Sequence, residues 1–61
     1  MGYNEVNHMA NYYLHTVYDA SGTEVETVFT MQEAVEASRY FANNYPEYGP
    51  YHIESTLTHG E

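Results

Sequence analysis

The segment Asp19-Ala20-Ser21-Gly22 most constrains the fold, because it joins two runs of β-forming residues through a tight turn. Residues 12–18, "YYLHTVY", and 24–29, "EVETVF", are rich in β-branched and aromatic types, and the second run alternates polar with apolar. Asp at the first turn position and Gly at the last are typical of a type I turn closed by a left-handed glycine. The segment therefore predicts a β-hairpin.

A helix is predicted over residues 31–44, followed by a third strand. Thr30 and Glu33 match a capping box, in which the Thr hydroxyl accepts from the N3 amide and the Glu side chain reaches back to the cap amide. Tyr45-Pro46 ends the helix, because proline disfavours helical geometry in the residue before it. Residues 51–57, "YHIESTL", alternate as a strand does. One helical stripe should pack on the sheet: Met31, Ala34, Val35, Ser38, Phe41, Ala42 and Tyr45.

These elements predict one α+β domain over residues 1–61, with ββαβ order and a single helix on one sheet face. A right-handed return from the second strand puts the third strand beside the first, which gives a three-stranded antiparallel sheet of order 2-1-3. Residues 1–10 are expected to form an arm that is either loose or extends the first strand. The other sheet face is expected to be open.

The bulged turn predicts which side chains share a face. The expected pairs Val17–Val25, His15–Thr27 and Tyr13–Phe29 face the helix. The open face then holds Tyr12, Leu14, Thr16, Tyr18, Glu24, Glu26, Val28, His52, Glu54 and Thr56. A one-residue shift of the turn would exchange the two sets of the first strand, but Glu24, Glu26 and Glu54 are expected on the open face in either register.

The charge balance is strongly acidic. Nine Asp and Glu residues face a single Arg39 and no Lys, for a formal net charge of −8. Such a field repels nucleic acid and anionic membranes and attracts basic surfaces. The chain also lacks cysteine and any apolar run long enough to span a bilayer, so we expect a soluble cytoplasmic protein that stabilises a marginal core by packing or self-association.

The open face is the predicted partner-binding site. Glu24 and Glu26 are about 6.6 Å apart along a strand, close to the spacing of successive phosphates in a nucleic-acid strand. Carboxylates at that pitch could occupy the basic groove of a DNA-binding enzyme. The expected binding residues are Glu24, Glu26, Glu54, Tyr12, Tyr18 and Leu14. The alternative is that this face is a homodimer interface and that the acid serves solubility alone.

No enzyme activity, cofactor or metal site is expected. The four histidines, His8, His15, His52 and His59, lack His-x-His or His-Glu-x-x-His spacing. His15 is expected to be half-buried with a backbone partner. There is no cysteine, glycine-rich phosphate loop or serine in a nucleophile-elbow context.

Residues 12–57 resemble the small bacteriophage inhibitors of host RNA polymerase, in the stretches "TVYDASGTEVETVFTMQEAVEASRYF" and "YGPYHIESTL". That family shares the strand-strand-helix-strand order and an acidic helix start, although its last strand carries basic residues and "YHIESTL" has none. "HTVYDAS", "PEYGP" and Glu54-Ser55-Thr56 are similar to stretches of the phage uracil-DNA glycosylase inhibitors, which copy the charge of DNA. Both resemblances imply a phage-encoded inhibitor, in the host cytoplasm, of a nucleic-acid enzyme of the polymerase, glycosylase or nuclease class.

Overall fold

The computed structural model describes residues 11–60 and has the predicted α+β fold with ββαβ order. The strands form one antiparallel sheet of order β2-β1-β3, which confirms the predicted topology. The elements are β1 (Tyr12–Tyr18), β2 (Glu24–Val28), α1 (Met31–Asn44), a short 3₁₀ turn (Pro46–Tyr48) and β3 (His52–Thr58). The predicted arm of residues 1–10 lies outside the described residues.

Helix α1 begins and ends at the predicted residues. Glu33 N donates to Thr30 Oγ1 at 3.1 Å, as a capping box requires, but the Glu33 carboxylate accepts from the Thr30 hydroxyl rather than from its amide. Strand β2 ends one residue before its predicted end, and β3 is displaced by one residue from 51–57. Among residues 11–60, no helix has the length and apolar character needed to cross a membrane.

The hairpin turn between β1 and β2 has the predicted form. Gly22 N donates to Asp19 O at 3.0 Å, and Asp19 N donates to Thr23 O at 3.0 Å. Gly22 has φ of +89°, the left-handed conformation that a residue without a Cβ adopts readily. This turn places Tyr18 opposite Glu24.

Beyond that pair a β-bulge at Val25 shifts the register between β1 and β2. The observed pairs are Val17–Glu26, Thr16–Thr27 and His15–Val28, so the predicted pairs Val17–Val25, His15–Thr27 and Tyr13–Phe29 are wrong. The shift lets both valines of the strand face the helix side, where Val25 lines a pocket with Phe41 and Val28 lines a groove with Ala37. Thr27 moves to the open face, where its hydroxyl lies 3.0 Å from that of Thr16.

The core of the described residues is small. Only Val17 of β1 and Ala34 of α1 are fully buried apolar residues. Val35, Ser38 and Phe41 of the predicted helix stripe are half-buried, whereas its ends at Met31 and Tyr45 are 46% and 44% exposed. The sheet therefore covers the middle of the stripe and leaves both ends accessible.

Candidate functional site

The bulge separates two of the predicted binding glutamates. Glu24 Oε2 accepts from Thr27 Oγ1 at 2.7 Å and lies on the open face. Glu26 pairs with Val17 and lines a groove on the helix side of the sheet. The expectation that Glu24, Glu26 and Glu54 share the open face is therefore wrong for Glu26, because a shift of one residue moves a side chain to the other face of a strand.

Glu26 instead joins two helix carboxylates in a groove between β2 and α1. Glu33 and Glu36 occupy successive turns of the helix, at the three-residue spacing that puts Cβ atoms about 5–6 Å apart. All three carboxylate side chains are exposed. This acidic groove encloses about 330 Å³ and is lined by Glu26, Val28, Glu33, Glu36, Ala37 and Tyr40.

The groove carboxylates have no paired base among residues 11–60. The one ion pair in that part of the chain joins His52 Nε2 and Glu54 Oε2 at 3.2 Å, on the open face. Gln32 Nε2 donates to Glu36 Oε2 at 3.4 Å, a neutral contact that leaves the charge in place. Three like charges around one space repel one another, so a cation that enters the groove is favoured.

Glu24, on the open-face side of the same edge strand, is held by a chain of hydroxyl groups. Because the Thr27 hydroxyl donates to Glu24, the Thr16 hydroxyl must donate to Thr27 across the 3.0 Å contact. Thr16 lies in the central strand and is 9% exposed, so this series of hydroxyl groups begins at a buried side chain. Glu24 and the three groove glutamates together form what we call the acidic edge: Glu24, Glu26, Glu33 and Glu36.

The open sheet face carries the other predicted binding residues. Tyr12, Leu14 and Tyr18 pair there with Thr58, Thr56 and His52 of β3. The rings of Tyr18 and His52 stack with centroids 5.2 Å apart. The ring centroids of Tyr12 and Phe29 are 6.2 Å apart. An aromatic pair thus lies at each end of the face, Tyr18 and His52 near the hairpin turn and Tyr12 and Phe29 at the opposite end.

The histidines of residues 11–60 do not converge. His15 is half-buried, as expected, but its Nδ1 contacts the Ser55 hydroxyl at 2.7 Å rather than a backbone group. In the observed register His15 and His52 project from opposite faces of the sheet. In the part of the chain that the structure describes, no group of three or more His, Asp or Glu side chains is placed to hold a metal ion.

A second concave site was not predicted. It encloses about 230 Å³ where the end of α1 meets the hairpin turn, and its lining residues are Asp19, Val25, Phe41, Tyr45, Tyr48 and Tyr51. We call it the aromatic pocket. The signal in the sequence is "YPEYGPY", which repeats tyrosine at every third position. That repeat does not itself reveal which rings converge.

We compared the chain with protein-family models, with curated proteins and with solved structures, and none of the three comparisons gives a match. The resemblance to phage inhibitors therefore stays a prediction, and the functional argument depends on the geometry of the residues themselves.

Proposed function

We propose that this chain is a non-catalytic binding protein that attaches to a basic surface of another protein through its acidic edge. The observation that carries the proposal is the acidic groove, in which Glu26, Glu33 and Glu36 line one space beside an edge strand. Carboxylates in this arrangement accept charge-assisted hydrogen bonds from Arg and Lys. A partner's cations also relieve the repulsion among the three carboxylates.

The partner class that fits this surface is a nucleic-acid-processing enzyme of the polymerase, glycosylase or nuclease class. Such enzymes bind phosphates through Arg and Lys, so their substrate channels are basic. A chain with net charge −8 and no Lys is attracted to such a channel over a long range. The carboxylates that would replace phosphates lie around the edge strand β2, and not along the open face as the sequence predicted. We propose that occupancy of the channel inhibits the enzyme.

The non-catalytic part of the proposal is supported by the chemistry of the groove lining. Among residues 11–60, the ionisable groups that line the groove are three carboxylates and one tyrosine, with no Ser, Cys or His. Glu26, Glu33 and Glu36 are exposed, so this groove does not exclude water from a reacting group as a closed active site does.

Inhibition assays test this function. The purified protein is added to a bacterial RNA polymerase, a uracil-DNA glycosylase and a nuclease, each acting on DNA. We expect inhibition of at least one enzyme, relieved by excess DNA and by raising the salt concentration from about 0.05 to about 0.3 M, because salt screens exposed charges. Inhibition of none of them, or inhibition that neither DNA nor salt relieves, would contradict the proposal.

A second candidate function is self-association through the open face. It is favoured by two rings that contact each other there, Tyr12 and Phe29, which are 41% and 71% exposed. Half-buried Leu14 lies on the same face, so the apolar end of the face offers area to a second copy. In this reading the acidic edge serves solubility.

A further inference from the structure

The aromatic pocket lies apart from the acidic edge, and its walls are fixed by main-chain hydrogen bonds. Ala20 N donates to Tyr48 O at 2.9 Å, which ties the hairpin turn to the 3₁₀ turn. Tyr45 N donates to Phe41 O at 2.7 Å, and the Tyr51 hydroxyl donates to Tyr45 O at 2.7 Å. The hairpin turn and the continuous segment 41–51 are thereby held around one space.

The rings that line this pocket are close together. The centroid of Phe41 lies 6.3 Å from that of Tyr45 and 5.8 Å from that of Tyr51, with interplanar angles of 37° and 34°. Tyr48 is 58% exposed and lines the same space. At about 230 Å³ the pocket is smaller than the roughly 300–1,000 Å³ of sites for drug-sized ligands, so it suits one small group.

The electrostatics of the pocket are anionic. Asp19 is the one formally charged lining residue, and hydrogen bonds, chiefly from the Ser21 side chain, lower the pKa of its carboxyl. The pKa of Tyr51 is raised, first by desolvation and then by the negative charges of Asp19 and Glu47. Both carboxylates thus act on the space that the rings enclose, and no basic residue lines it.

We propose that the aromatic pocket binds a small organic cation, either an alkylammonium or a guanidinium group. The faces of aromatic rings attract cations through their negative quadrupole, and nearby carboxylates strengthen the attraction. An anion would be repelled by Asp19, and a neutral group would gain only apolar contact. The cation could be a free metabolite or a side chain of a protein partner. This inference does not depend on the function proposed for the acidic edge.

Titration of the full chain with matched probes tests the pocket. Choline is compared with 3,3-dimethylbutan-1-ol, its neutral carbon isostere, by the NMR shifts of the backbone amides of Asp19, Tyr45, Glu47, Tyr48 and Tyr51. We expect choline to bind roughly tenfold more tightly than the alcohol, about the contribution of one cation–π contact. Equal measurable affinity for the two probes would overturn the proposal.

Three substitutions locate the site. Tyr48→Leu removes a lining ring and should weaken choline binding roughly tenfold, whereas Tyr13→Leu removes a comparably exposed ring that does not line the pocket and should leave binding unchanged. Glu47→Gln removes a charge without altering any ring, and it should weaken binding by a smaller factor. Equal losses from Tyr48→Leu and Tyr13→Leu would place the cation elsewhere and overturn the assignment.

The chemical class of the cation is distinguished by a further probe, Nα-acetyl-arginine amide, which presents a guanidinium group as an arginine side chain does. Tighter binding of choline would assign the pocket to alkylammonium groups. Tighter binding of the arginine derivative would assign it to guanidinium groups. Binding of neither would contradict the proposal, and because these titrations use no enzyme, that result would leave the function proposed for the acidic edge to its own test.

Discussion

At the scale of single residues, Asp19 organises the hairpin turn through its side chain. Its Oδ1 accepts from Ser21 N at 3.0 Å, from Ser21 Oγ at 2.7 Å and from Thr23 N at 2.9 Å. These bonds favour the ionised carboxylate, so the pKa of Asp19 is lower in the folded chain than its ordinary value of 3.8. The turn that starts the β1–β2 register is therefore sensitive to acid.

The lowered pKa predicts the direction of a pH effect on stability. Above pH 3.8 the contribution of the Asp19 carboxylate to the free energy of unfolding is fully present. This contribution is lost as the pH falls from 3.8 through the lower pKa of the folded chain, because the unfolded chain then binds the proton more readily. Asp19→Asn keeps a side-chain acceptor oxygen but removes the carboxyl group that titrates. Thermal unfolding between pH 2 and pH 7 should therefore show less acid destabilisation in Asp19→Asn than in the wild type, and parallel curves would contradict the assignment.

At the scale of elements, the bulge in β2 decides which residues form the acidic groove. It puts Glu26 on the helix side with Glu33 and Glu36, and it puts Thr27 on the open face with Thr16 and Glu24. A bulge bends its strand and adds twist, so one extra residue redirects the rest of β2.

A double-mutant cycle at Thr16 and Thr27 tests this register. Thr27→Val should lower the free energy of unfolding by about 1 kcal/mol, because it leaves the part-buried Thr16 hydroxyl without its partner. In urea unfolding, the Thr16→Val/Thr27→Val double variant should lose less free energy of unfolding than the two single variants together, by about 0.5 kcal/mol or more. Thr56→Val, on the exposed part of the same face, is the control and should cost little. Additive losses would contradict the observed pairing.

The sequence was informative where one residue type fixes a local conformation. Asp19 and Gly22 predicted the turn, Thr30 and Glu33 predicted the helix start, and Pro46 predicted the helix end. The alternation of β1 and β3 predicted which residues of each strand share a face, but for β1 it left open which of the two sets faces the helix.

The bulge could not be predicted, because "EVETVF" alternates equally well with or without an extra residue at Val25. In the fold, Val25 and Val28 both lie on the helix side, where they line spaces together with Phe41 and Ala37 of α1, and a strand segment alone does not show these helix residues. The aromatic pocket is hidden for a similar reason. The pocket forms only when Ala20 N donates to Tyr48 O. This hydrogen bond joins two segments that share no repeating pattern in the sequence.

At the scale of the whole molecule, the described chain buries few apolar side chains and exposes many. Val17 and Ala34 are its fully buried apolar residues, while eight large apolar or aromatic residues are 41–71% exposed. A domain of this length buries only about 60% of the surface of its unfolded chain, so its stability is marginal. Association with a partner or with a second copy would stabilise the folded state by mass action.

Self-association through the open face gives a separate prediction. If that candidate is right, light scattering will find a dimer, and Phe29→Ser and Leu14→Glu will each raise its dissociation constant by roughly tenfold or more. Tyr40→Ser is the matched control, since Tyr40 is exposed but lies in the acidic groove. A monomer at millimolar concentration, or equal effects of the control, would contradict the dimer.

The central claim, that the acidic edge binds a basic partner, is tested most directly by comparing Glu26→Lys with Glu54→Lys in the inhibition assay. Both residues are exposed, both lie on edge strands, and both substitutions change the net charge equally. We expect Glu26→Lys to weaken inhibition by about tenfold or more and Glu54→Lys by less than about threefold, because only Glu26 lines the acidic groove. Equal losses from the two substitutions would contradict the claim.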